Sequence, residues 1–338
     1  CRAKKPMTDA QSREPRRCLL ITPLTFYTFH HTLADGLKRR GYVVETLNEE
    51  FPANPFGKIL GKLALPLLRL STLRGLKTRL DECEPFDLVV IIKGRGLGPA
   101  ALRYLRTKSR RIVGYNFDSF GFNPSPLDWH ALTDRYATFD IDDSAQHAIS
   151  LVHLFSAATP AADLPAKYDL SIVQRVHSER LCYAERLLTV LPRGWRPFVF
   201  LFESSYLTFA LGLLRSPRLY MRMRKFISFK ALSYADAMAG LQGSRVTFDF
   251  AHPKQSGITV RCFEAQSLGV AILTNNLAAV QSGVFEPGSI AHLPADADAA
   301  QIIALLQALA ERKPAPKART LDVFLEELLA EPTSGDQD

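Results

Sequence analysis

The chain has 338 residues, a length that corresponds to about two domains, so a single small binding module is excluded. Hydrophobic residues make up 47% of it and charged residues 22%, which excludes wholesale disorder and fibrous repeats. The five cysteines show neither CxxC spacing nor a shared pattern with histidine. This usage argues against a disulfide framework or a zinc site and favours the reducing cytoplasm.

Positive charge is concentrated in two segments without any acidic residue. The formal net charge is +8, and residues 51–80 and 204–235 each contain six lysines and arginines. Such segments attract phosphate, whether of a nucleotide, a membrane surface or a nucleic acid. Composition alone does not decide among the three. The basic residues are Lys58, Lys62, Arg69, Arg74, Lys77 and Arg79 in the first segment, and Arg215, Arg218, Arg222, Arg224, Lys225 and Lys230 in the second.

Both ends of the chain are expected to lie outside the folded part. Residues 1–15 are expected to be disordered or an addition to the native chain, since six residues precede Met7, and residues 331–338 are expected to form a disordered tail. The first twenty residues lack the apolar core of a signal peptide, and the longest apolar run, near 63–68, is too short to span a bilayer. We expect neither secretion nor an integral membrane protein.

The folded part opens with alternating strands and helices. Residues 18–22 (CLLIT) have the pattern of a buried strand, residues 28–40 predict a helix that Gly41 ends, and residues 42–47 predict a second strand. Residues 86–93 and 111–116 predict two more strands with a helix between them. Because their apolar runs are continuous, these strands are expected in a parallel sheet that is covered on both faces.

A second cycle of the same kind begins near residue 168. Its predicted strands are 168–173, 196–202, 225–229, 245–250 and 270–274, and two helices after Pro294 end the fold. The Ala- and Pro-rich segment 155–167 predicts the boundary between the two halves. The expected fold class is therefore α/β with two Rossmann-like domains, residues 16–160 and residues 161–330.

Residues 248–276 contain the most informative pattern. A strand ends near Phe250, Gly257 allows close backbone approach in the next loop, and a helix from about Thr259 carries Arg261 and Glu264 on one face. The unpaired amides and the dipole at the start of that helix favour a phosphate. An arginine can clamp a diphosphate, and a carboxylate one turn on can accept the hydroxyls of a ribose. The alternative is an ordinary Arg/Glu pair on a helix surface.

The segment HPKQSGITVRCFEAQSLGVAILTNN (252–276) resembles the donor-binding segment of bacterial GT-B glycosyltransferases, especially those of lipopolysaccharide, capsule and exopolysaccharide assembly. That family has Q-x-G-(L/I)-T-x-R-x-x-E followed by L-(I/L)-T-x-N. The segments FDLVVIIKGRGL, YNFDSFGFNP, YATFDIDDSAQH and YDLSIVQRVHSERL resemble others of its segments, so the likeness covers most of residues 18–330. It implies two domains facing each other across a cleft, with the nucleotide sugar bound mainly by the second and the acceptor by the first.

The same resemblance assigns residues to the donor site. Glu264 would bind the ribose, and Arg261 would lie near the diphosphate. Many relatives have a second acid eight residues from the first, but Ser256 and Ile272 occupy those positions here, so a retaining mechanism does not follow. The implied donor positions are Gln255, Gly257, Thr259, Arg261 and Glu264, together with Arg175, which stands near the place where the family usually has a glycine.

Two places are candidates for the base that would deprotonate an acceptor hydroxyl. Asp118, followed by Ser119, closes a predicted strand at the carboxyl edge of the first sheet, where ligands bind in open α/β folds. Closure of a cleft would raise its pKa towards neutrality. His30, beside His31, lies early in the first helix. The alternatives are a turn-forming Asp-Ser pair and a plain surface histidine; Asp118 is the first choice.

Other basic segments allow more than one interpretation. Arg222 and Lys225 are expected to neutralise the leaving diphosphate in place of a metal, or they belong to a solvated surface. Residues 93–98 (KGRGLG) form an anion cradle or a tight turn. Residues 58–79 form a membrane-surface helix that would suit a lipid-linked acceptor, or a helix pair with a basic rim, because Pro66 and Gly75 would break one long helix.

The sequence thus predicts a metal-independent glycosyltransferase that transfers a sugar from a nucleotide sugar to a hydroxyl of a bacterial surface glycan or its lipid carrier. The DIDD run at 140–143 is assigned to the fold, so neither a cation nor a cofactor is expected. The expected location is the cytoplasm, with peripheral contact at the inner membrane. The alternative is a catalytically inactive nucleotide- or glycan-binding partner on the same scaffold; nucleic-acid binding has no motif to support it.

Overall fold

The computed structural model describes residues 15–24, 29–54, 57, 60, 61, 63–161, 165–177 and 179–331. The chain forms two compact units. The first contains the described residues up to Tyr115, Ser125–Tyr136 and Glu331, and the second contains Asn116–Pro124 and Ala137–Ala330. The sequence-based boundary at 155–167 lies inside the second unit, and the domain limits stay a prediction. Of the two ends expected to be disordered, only Pro15 and Glu331 are among the described residues.

The first sheet contains six strands in the order β2-β1-β3-β4-β5-β6. The strands are β1 (Arg16–Thr22), β2 (Tyr42–Asn48), β3 (Leu88–Ile92), β4 (Ile112–Asn116), β5 (Arg135–Thr138) and β6 (Ser150–Leu151). Strand β1 pairs in parallel with β2 and β3, and β3 with β4. Every residue of β3 and β4 is buried, which confirms the parallel, doubly covered sheet that continuous apolarity predicts.

The helices of this half follow the strands. They are α1 (Phe29–Arg39), α2 (Leu65–Leu80), α3 (Pro99–Thr107) and α4 (Ile141–His147). Helix α1 buries Leu33 and Leu37. It ends where expected, because Gly41 adopts a φ of +84°, a left-handed conformation that glycine adopts without strain.

Helix α2 covers the larger part of the segment 58–79, in which the sequence predicts that Pro66 and Gly75 break one long helix. Pro66 lies in its first turn, where the missing N–H is not needed. Gly75 lies inside the helix and leaves room for Phe51, whose ring would be 2.8 Å from a Cβ at that position. The expected break at Gly75 is therefore wrong, whereas the break at Pro66 is confirmed, because Ala64 is not helical (φ −150°) and α2 begins at Leu65.

The second sheet contains six strands in the order β12-β11-β10-β7-β8-β9. They are β7 (Tyr168–Arg175), β8 (Pro197–Phe202), β9 (Ile227–Ser228), β10 (Ser244–Asp249), β11 (Ala271–Thr274) and β12 (Ile290–His292). The paired strands are parallel. From β7 the chain proceeds to one edge and from β10 to the other, so the loops that follow β7 and β10 diverge at a switch point. Ligands bind at such points in open α/β sheets.

Eight helices complete the described part of this half. They are α5 (Arg180–Thr189), α6 (Tyr206–Arg215), α7 (Pro217–Met223), α8 (Tyr234–Gln242), α9 (Val260–Leu268), α10 (Leu277–Gln281), α11 (Ala299–Ala310) and α12 (Leu321–Leu329). The core under the sheet includes Leu170, Val246 and Leu273 from the strands and Leu306 from α11. The two predicted C-terminal helices are confirmed as α11 and α12. Among the described residues, no helix combines the length and the apolarity needed to cross a bilayer.

Candidate functional site

One buried carboxylate fixes the loop between β10 and α9, at the switch point of the second sheet. Asp140 is 2% exposed and caps the start of α4, where its side chain accepts from the amide of Asp143. Its Oδ1 accepts from Ser256 Oγ at 2.7 Å, and its Oδ2 accepts from the amides of Ser256 at 2.8 Å and Gly257 at 3.2 Å. A carboxylate of the chain therefore occupies two amides that a phosphate would otherwise bind.

Two asparagine side chains donate hydrogen bonds to carbonyl groups of the same loop. Asn276 Nδ2 donates to the carbonyl oxygens of Ser256 at 3.0 Å and Gly257 at 3.1 Å, and the side chain of Asn275 exchanges two hydrogen bonds with the backbone of Ala251. A Cβ at position 257 would lie 2.4 Å from the ring of Phe139. The glycine makes room for this ring, a different role from the close phosphate approach expected from the sequence.

Thr259 joins the end of β10 to the start of α9. Its hydroxyl donates to Asp249 Oδ1 at 2.6 Å, and Asp249 Oδ2 accepts from Thr274 at 3.0 Å. Because the hydroxyl is used in this way, it does not cap α9, and the positive end of the helix dipole stays available at this point. Gln255 is partly exposed, and its backbone N–H donates to the carbonyl oxygen of His252 at 2.9 Å.

Arg261 and Glu264 lie on one face of α9, as their spacing predicts. Arg261 Nη1 is 2.7 Å from Glu264 Oε2, and the Glu264 side chain is only 7% exposed. Burial raises the pKa of Glu264, while the Arg261 charge and a hydrogen bond from Tyr234 lower it. A glutamate this deeply buried does not belong to an ordinary surface pair. Tyr234, the first residue of α8, is 52% exposed, so it forms the outer side of this carboxylate's environment.

Positive charge gathers beside Arg261. Arg180 begins α5, after the loop that follows β7, and its Nε has no hydrogen-bond partner among the described residues. Burial lowers the pKa of Arg180, as do the charges of Arg175 and Arg261, while Asp249 raises it. Partly buried arginines repel one another when carboxylates do not balance them. Arg175, Arg180 and Arg261 are therefore a candidate site for an anion.

Nearby positive charges contribute to a lowered pKa at two histidines, His177 and His252. Partial burial and the nearby charges of Arg180 and Arg175 lower the pKa of His177 to about 4. Burial lowers the pKa of His252 too, as do Lys254 and Arg180. Both rings are therefore neutral near pH 7, and the cations that remain are arginines and a lysine. We call Arg175, Arg180, Lys254 and Arg261 the cationic cluster.

The segment Asn116–Pro124, which carries the predicted base, packs against the loop of the cationic cluster. Ser119 Oγ donates to the carbonyl of Lys254 at 2.7 Å. The ring of Phe122 meets the ring of His252 edge to face, with 4.6 Å between centroids. Both contacts lie within the second unit, so this segment and the loop are held together by that unit itself.

Asp118 lies in the turn that opens this segment. Its amide donates to Asn116 Oδ1 at 3.3 Å, and its side chain is half-buried. The amide of Phe120 donates to Asp143 at 2.6 Å. Since Asp143 and Asp140 both belong to the start of α4, this one helix end fixes both the turn of Asp118 and the loop before α9.

Three residues of the site are not predicted from the sequence as site residues. Asp140 holds the loop, Arg180 supplies a partly buried cation, and Tyr234 hydrogen-bonds with Glu264. The signal for Arg180 was its place just after a strand that adjoins the switch point, beside the Arg175 that was selected. The position of Tyr234 carried no signal, because its partner lies thirty residues further along the chain.

Known proteins resemble this chain in structure. No protein-family model matches it, and no curated protein matches its sequence. AviGT4, a glycosyltransferase involved in avilamycin A biosynthesis, is 13% identical with a TM-score of 0.56, over 93% of this chain and 97% of that one. The lipopolysaccharide outer core galactosyltransferase WaaB is 13% identical with a TM-score of 0.55, over 87% and 90%. UDP-GlcNAc 2-epimerase from Neisseria meningitidis, bound to UDP-GlcNAc, is 8% identical with a TM-score of 0.54, over 93% and 99%.

The chain has the GT-B fold. This confirms the fold class expected from the motif and from the order of the elements. Structures with this fold include both glycosyltransferases and sugar-nucleotide epimerases, so the fold leaves the reaction open.

Three predicted site residues of this GT-B chain have other neighbours. Arg222 on α7 is exposed and pairs with Glu185 at 2.6 Å, and the Lys225 ammonium lies 4.8 Å from the ring centroid of Phe226. His30 lies in the first turn of α1, in the first unit, with its ring centroid 4.0 Å from that of His31. The structure thus brings Arg261, Glu264, Arg175 and the segment of Asp118 into one region, and it gives Arg222 and Lys225 aromatic or acidic neighbours of their own.

In the glycine-rich loop after β3 (residues 93–98), Arg95 interacts with two glutamates. The amide of Arg95 donates to Glu49 at 2.8 Å, and its guanidinium pairs with Glu50 at 2.5 Å. Burial raises the pKa of Glu49 to about 7. A Cβ at Gly96 would lie 2.6 Å from the carbonyl oxygen of Glu49. Of the two interpretations, this geometry favours the tight turn over an anion cradle. Among the described residues, no group of three or more His, Cys, Asp or Glu is arranged to hold a metal ion.

Replacement of Asp140 tests the anchoring of the loop. Asp140→Ala leaves the amides of Asp143, Ser256 and Gly257 without their acceptor, and each buried unsatisfied group costs about 1–3 kcal/mol. We therefore expect chemical denaturation to show a free energy of unfolding lower by about 3 kcal/mol or more. The control is Asp142→Ala, since Asp142 is exposed on the same helix, and a change within about 0.5 kcal/mol is expected. Equal effects of the two changes would contradict the anchoring role.

The titration of His177 tests the cationic cluster. Nearby positive charges lower the pKa of its imidazole, so an anion bound among them should raise it. In NMR titrations of the full chain we expect a midpoint near pH 4, which shifts upwards when inorganic pyrophosphate is added. The imidazole signals of His292, on β12, are the control and should not change when pyrophosphate is added at fixed pH. A His177 midpoint that pyrophosphate leaves unchanged would mean that the cluster does not bind this anion.

Proposed function

We propose that this chain is a glycosyltransferase that transfers a sugar from a nucleotide-sugar donor to a hydroxyl of a bacterial surface glycan or a lipid-linked acceptor. The observation that carries the proposal is the cationic cluster beside the buried Glu264, at the switch point of the second sheet. An anion flanked by a hydroxyl-rich group suits this pair of features. The fold shared with a lipopolysaccharide galactosyltransferase and with an epimerase bound to UDP-GlcNAc supports the same choice of ligand.

The donor would bind with its diphosphate on the cationic cluster. Arg261, in the first turn of α9, and Arg180, at the start of α5, would contact the anion from two different helices, and the start of α9 adds its dipole. Glu264 would accept hydrogen bonds from the ribose hydroxyls, with Tyr234 at its exposed side. Gln255 lies in the same loop and is proposed as a further contact, whereas Gly257 and Thr259 would act by holding the loop in place.

Departure of the nucleotide diphosphate would be the step that the protein assists most. Negative charge grows on the leaving oxygen as the bond to the sugar breaks, and fixed cations stabilise that charge without a metal ion. Arg261 and Arg180 are suited to this role because they are partly shielded from water. Arg222 and Lys225 are proposed as outer contributors only, in view of their own neighbours.

Asp118 is proposed as the base for an inverting reaction. It would take the proton of the acceptor hydroxyl while the oxygen attacks the anomeric carbon. Its support is the packing of its turn on the carbonyl of Lys254, a member of the cationic cluster. His30 remains the second choice, in the first unit.

The acceptor proposed here is a glycan hydroxyl, carried by a lipid or by a growing polysaccharide. We propose a cytoplasmic protein that meets this acceptor at the inner face of the membrane. The basic residues of α2 support such a contact less than their number suggests, because Arg69 pairs with Asp128 at 2.6 Å and Arg79 lies over the ring of Phe51. The donor test below does not depend on the acceptor.

A screen of sugar nucleotides tests the function. Thermal unfolding of the chain with UDP, GDP, CMP and dTDP identifies the nucleotide, because a ligand that binds only the folded state raises its stability. Turnover with the matching sugar nucleotides then separates three outcomes. Transfer to an acceptor supports the proposal, epimerisation of the donor without an acceptor assigns the other activity known for this fold, and binding without any turnover favours an inactive partner protein.

Glu264→Gln tests the ribose contact. The amide keeps the size of the side chain and removes the charge that strengthens its hydrogen bonds, each worth about 1.5–3 kcal/mol. We expect calorimetry to show donor binding weaker by about tenfold or more. Glu286→Gln is the control, since Glu286 is an exposed carboxylate of the same unit. Unchanged donor affinity in a folded Glu264→Gln protein would remove Glu264 from the site.

Asp118→Asn tests the base. Loss of a general base lowers the rate by about 10²- to 10⁴-fold, whereas the donor affinity should stay within about twofold because the side chain keeps its shape. Initial rates and donor titrations on the same preparation give the two numbers. Asp142→Asn serves as the matched control. A variant at Asp118 that turns over at the rate of the unchanged chain would exclude this residue as the base.

A further inference from the structure

Helix α6 presents leucines to solvent. Only Gly212 of its ten residues is buried, although its sequence, YLTFALGLLR, is almost entirely apolar. Leu207, Leu211 and Leu214 are 69%, 45% and 80% exposed. Their spacing of four and three places them on one face of the helix. An apolar helix face of this kind normally packs against other protein or against lipid.

The opposite face of α6 is fixed to the second unit. A Cβ at Gly212 would lie 2.0 Å from the ring of Tyr220 on α7, so the two helices are in close contact there. Phe209 meets the rings of Tyr220 and Phe229 at 5.5 and 5.6 Å between centroids. These contacts set the rotation of α6 about its axis. The leucine face therefore points outwards because the aromatic face is bound.

Arginines flank this face. Arg215 ends α6, Arg218 lies in the first turn of α7, and both are exposed. Residues 204–235 contain six basic residues and no acidic one, although Arg222 on α7 pairs with Glu185 of α5. Met221, 63% exposed on α7, adds a further apolar side chain beside these arginines. The hairpin of α6 and α7 thus combines exposed aliphatic side chains with exposed positive charge at Arg215 and Arg218.

We propose that the α6–α7 hairpin docks on the surface of an anionic lipid bilayer. Leucines on one face of a helix insert below the headgroups, while flanking arginines bind the anionic headgroups. Tyr206, 73% exposed at the start of α6, is of the type that favours the boundary between lipid and water. A second copy of the chain is a poor occupant, because apposition of two such hairpins would bring their positive charges together.

Helix α2 is the obvious competitor for this role, and its chemistry is weaker. Its segment also exposes leucines, with Leu67 57% and Leu70 45% exposed. The first unit engages several of its basic side chains, however, since Arg69 pairs with Asp128 and Lys77 lies 5.7 Å from the ring centroid of Tyr104. In the α6–α7 hairpin, Arg215 and Arg218 are exposed beside the leucine face, and neither forms an ion pair with a described residue.

Binding of the full chain to vesicles tests the proposal. Sedimentation with sucrose-loaded vesicles of phosphatidylcholine, with and without phosphatidylglycerol, measures partition at low and physiological salt. We expect binding only with phosphatidylglycerol, and weaker binding as salt increases. Leu214→Glu should reduce the partition by about tenfold or more, and Arg218→Glu by about fivefold or more. Leu67→Glu is the matched control, an exposed leucine on α2 whose change should leave the partition unaltered.

A spectroscopic measurement locates the contact independently. Tryptophan introduced as Leu214→Trp should move its emission to shorter wavelength on phosphatidylglycerol vesicles and be quenched by brominated lipid, whereas Leu67→Trp should respond to neither. The proposal is overturned if the chain does not bind these vesicles, if Leu67→Glu rather than Leu214→Glu abolishes binding, or if sedimentation of the lipid-free chain shows a dimer that Leu214→Glu dissociates. Because these tests use no nucleotide, their failure leaves the proposed transferase activity intact, and failure of that activity leaves them valid.

Discussion

The candidate site depends on the hydrogen bonds of one buried side chain, the carboxylate of Asp140. Its oxygens saturate the amides of Ser256 and Gly257, while Asn276 saturates the carbonyls of the same two residues. At these two residues other conformations are disfavoured, because they would leave buried polar groups unsatisfied. The loop therefore delivers α9 in one orientation, and the positions of Arg261 and Glu264 follow from it. Asp140, for which no ligand contact is proposed, therefore sets the positions of Arg261 and Glu264, for which one is.

The electrostatics of the region have the opposite character, since they are not balanced within the protein. Burial and the charges of Arg175 and Arg261 lower the pKa of Arg180, while the buried Asp249 raises it, and Arg261 pairs with the buried Glu264. Repulsion among partly buried cations destabilises the folded chain, and a bound anion relieves it. The backbone groups of Ser256 and Gly257 are paired within the protein. We therefore expect the proposed diphosphate to be recognised mainly by side-chain charge, together with the start of α9.

The sequence predicts most of the fold and only part of the site. Long apolar strands such as β3 and β7 carry their own signal, because a parallel sheet buries both faces of each strand. Strands of two residues, β6 and β9, have no periodicity to detect, and α6 is apolar all round, so no helical face is visible in its letters. At the site, the spacing of Arg261 and Glu264 predicts their pairing, since it depends on one helix. The partner of Asp140 lies 116 residues away, and local patterns carry no information on such contacts. For the same reason, the sequence predicts that Gly257 allows a phosphate to approach the backbone, and it gives no sign that the ring of Phe139 fills the space beside this glycine.

The start of α4 connects the two halves of the proposed chemistry. Asp143 accepts the amide of Phe120 in the turn of Asp118, and Asp140 accepts the amides of the loop that leads to Arg261. The proposed base and the proposed diphosphate contacts are therefore anchored to the first turn of a single helix, inside one compact unit. The proposed transfer needs base, anomeric carbon and leaving group in line, and a common anchor would keep the base at a fixed place relative to the diphosphate contacts.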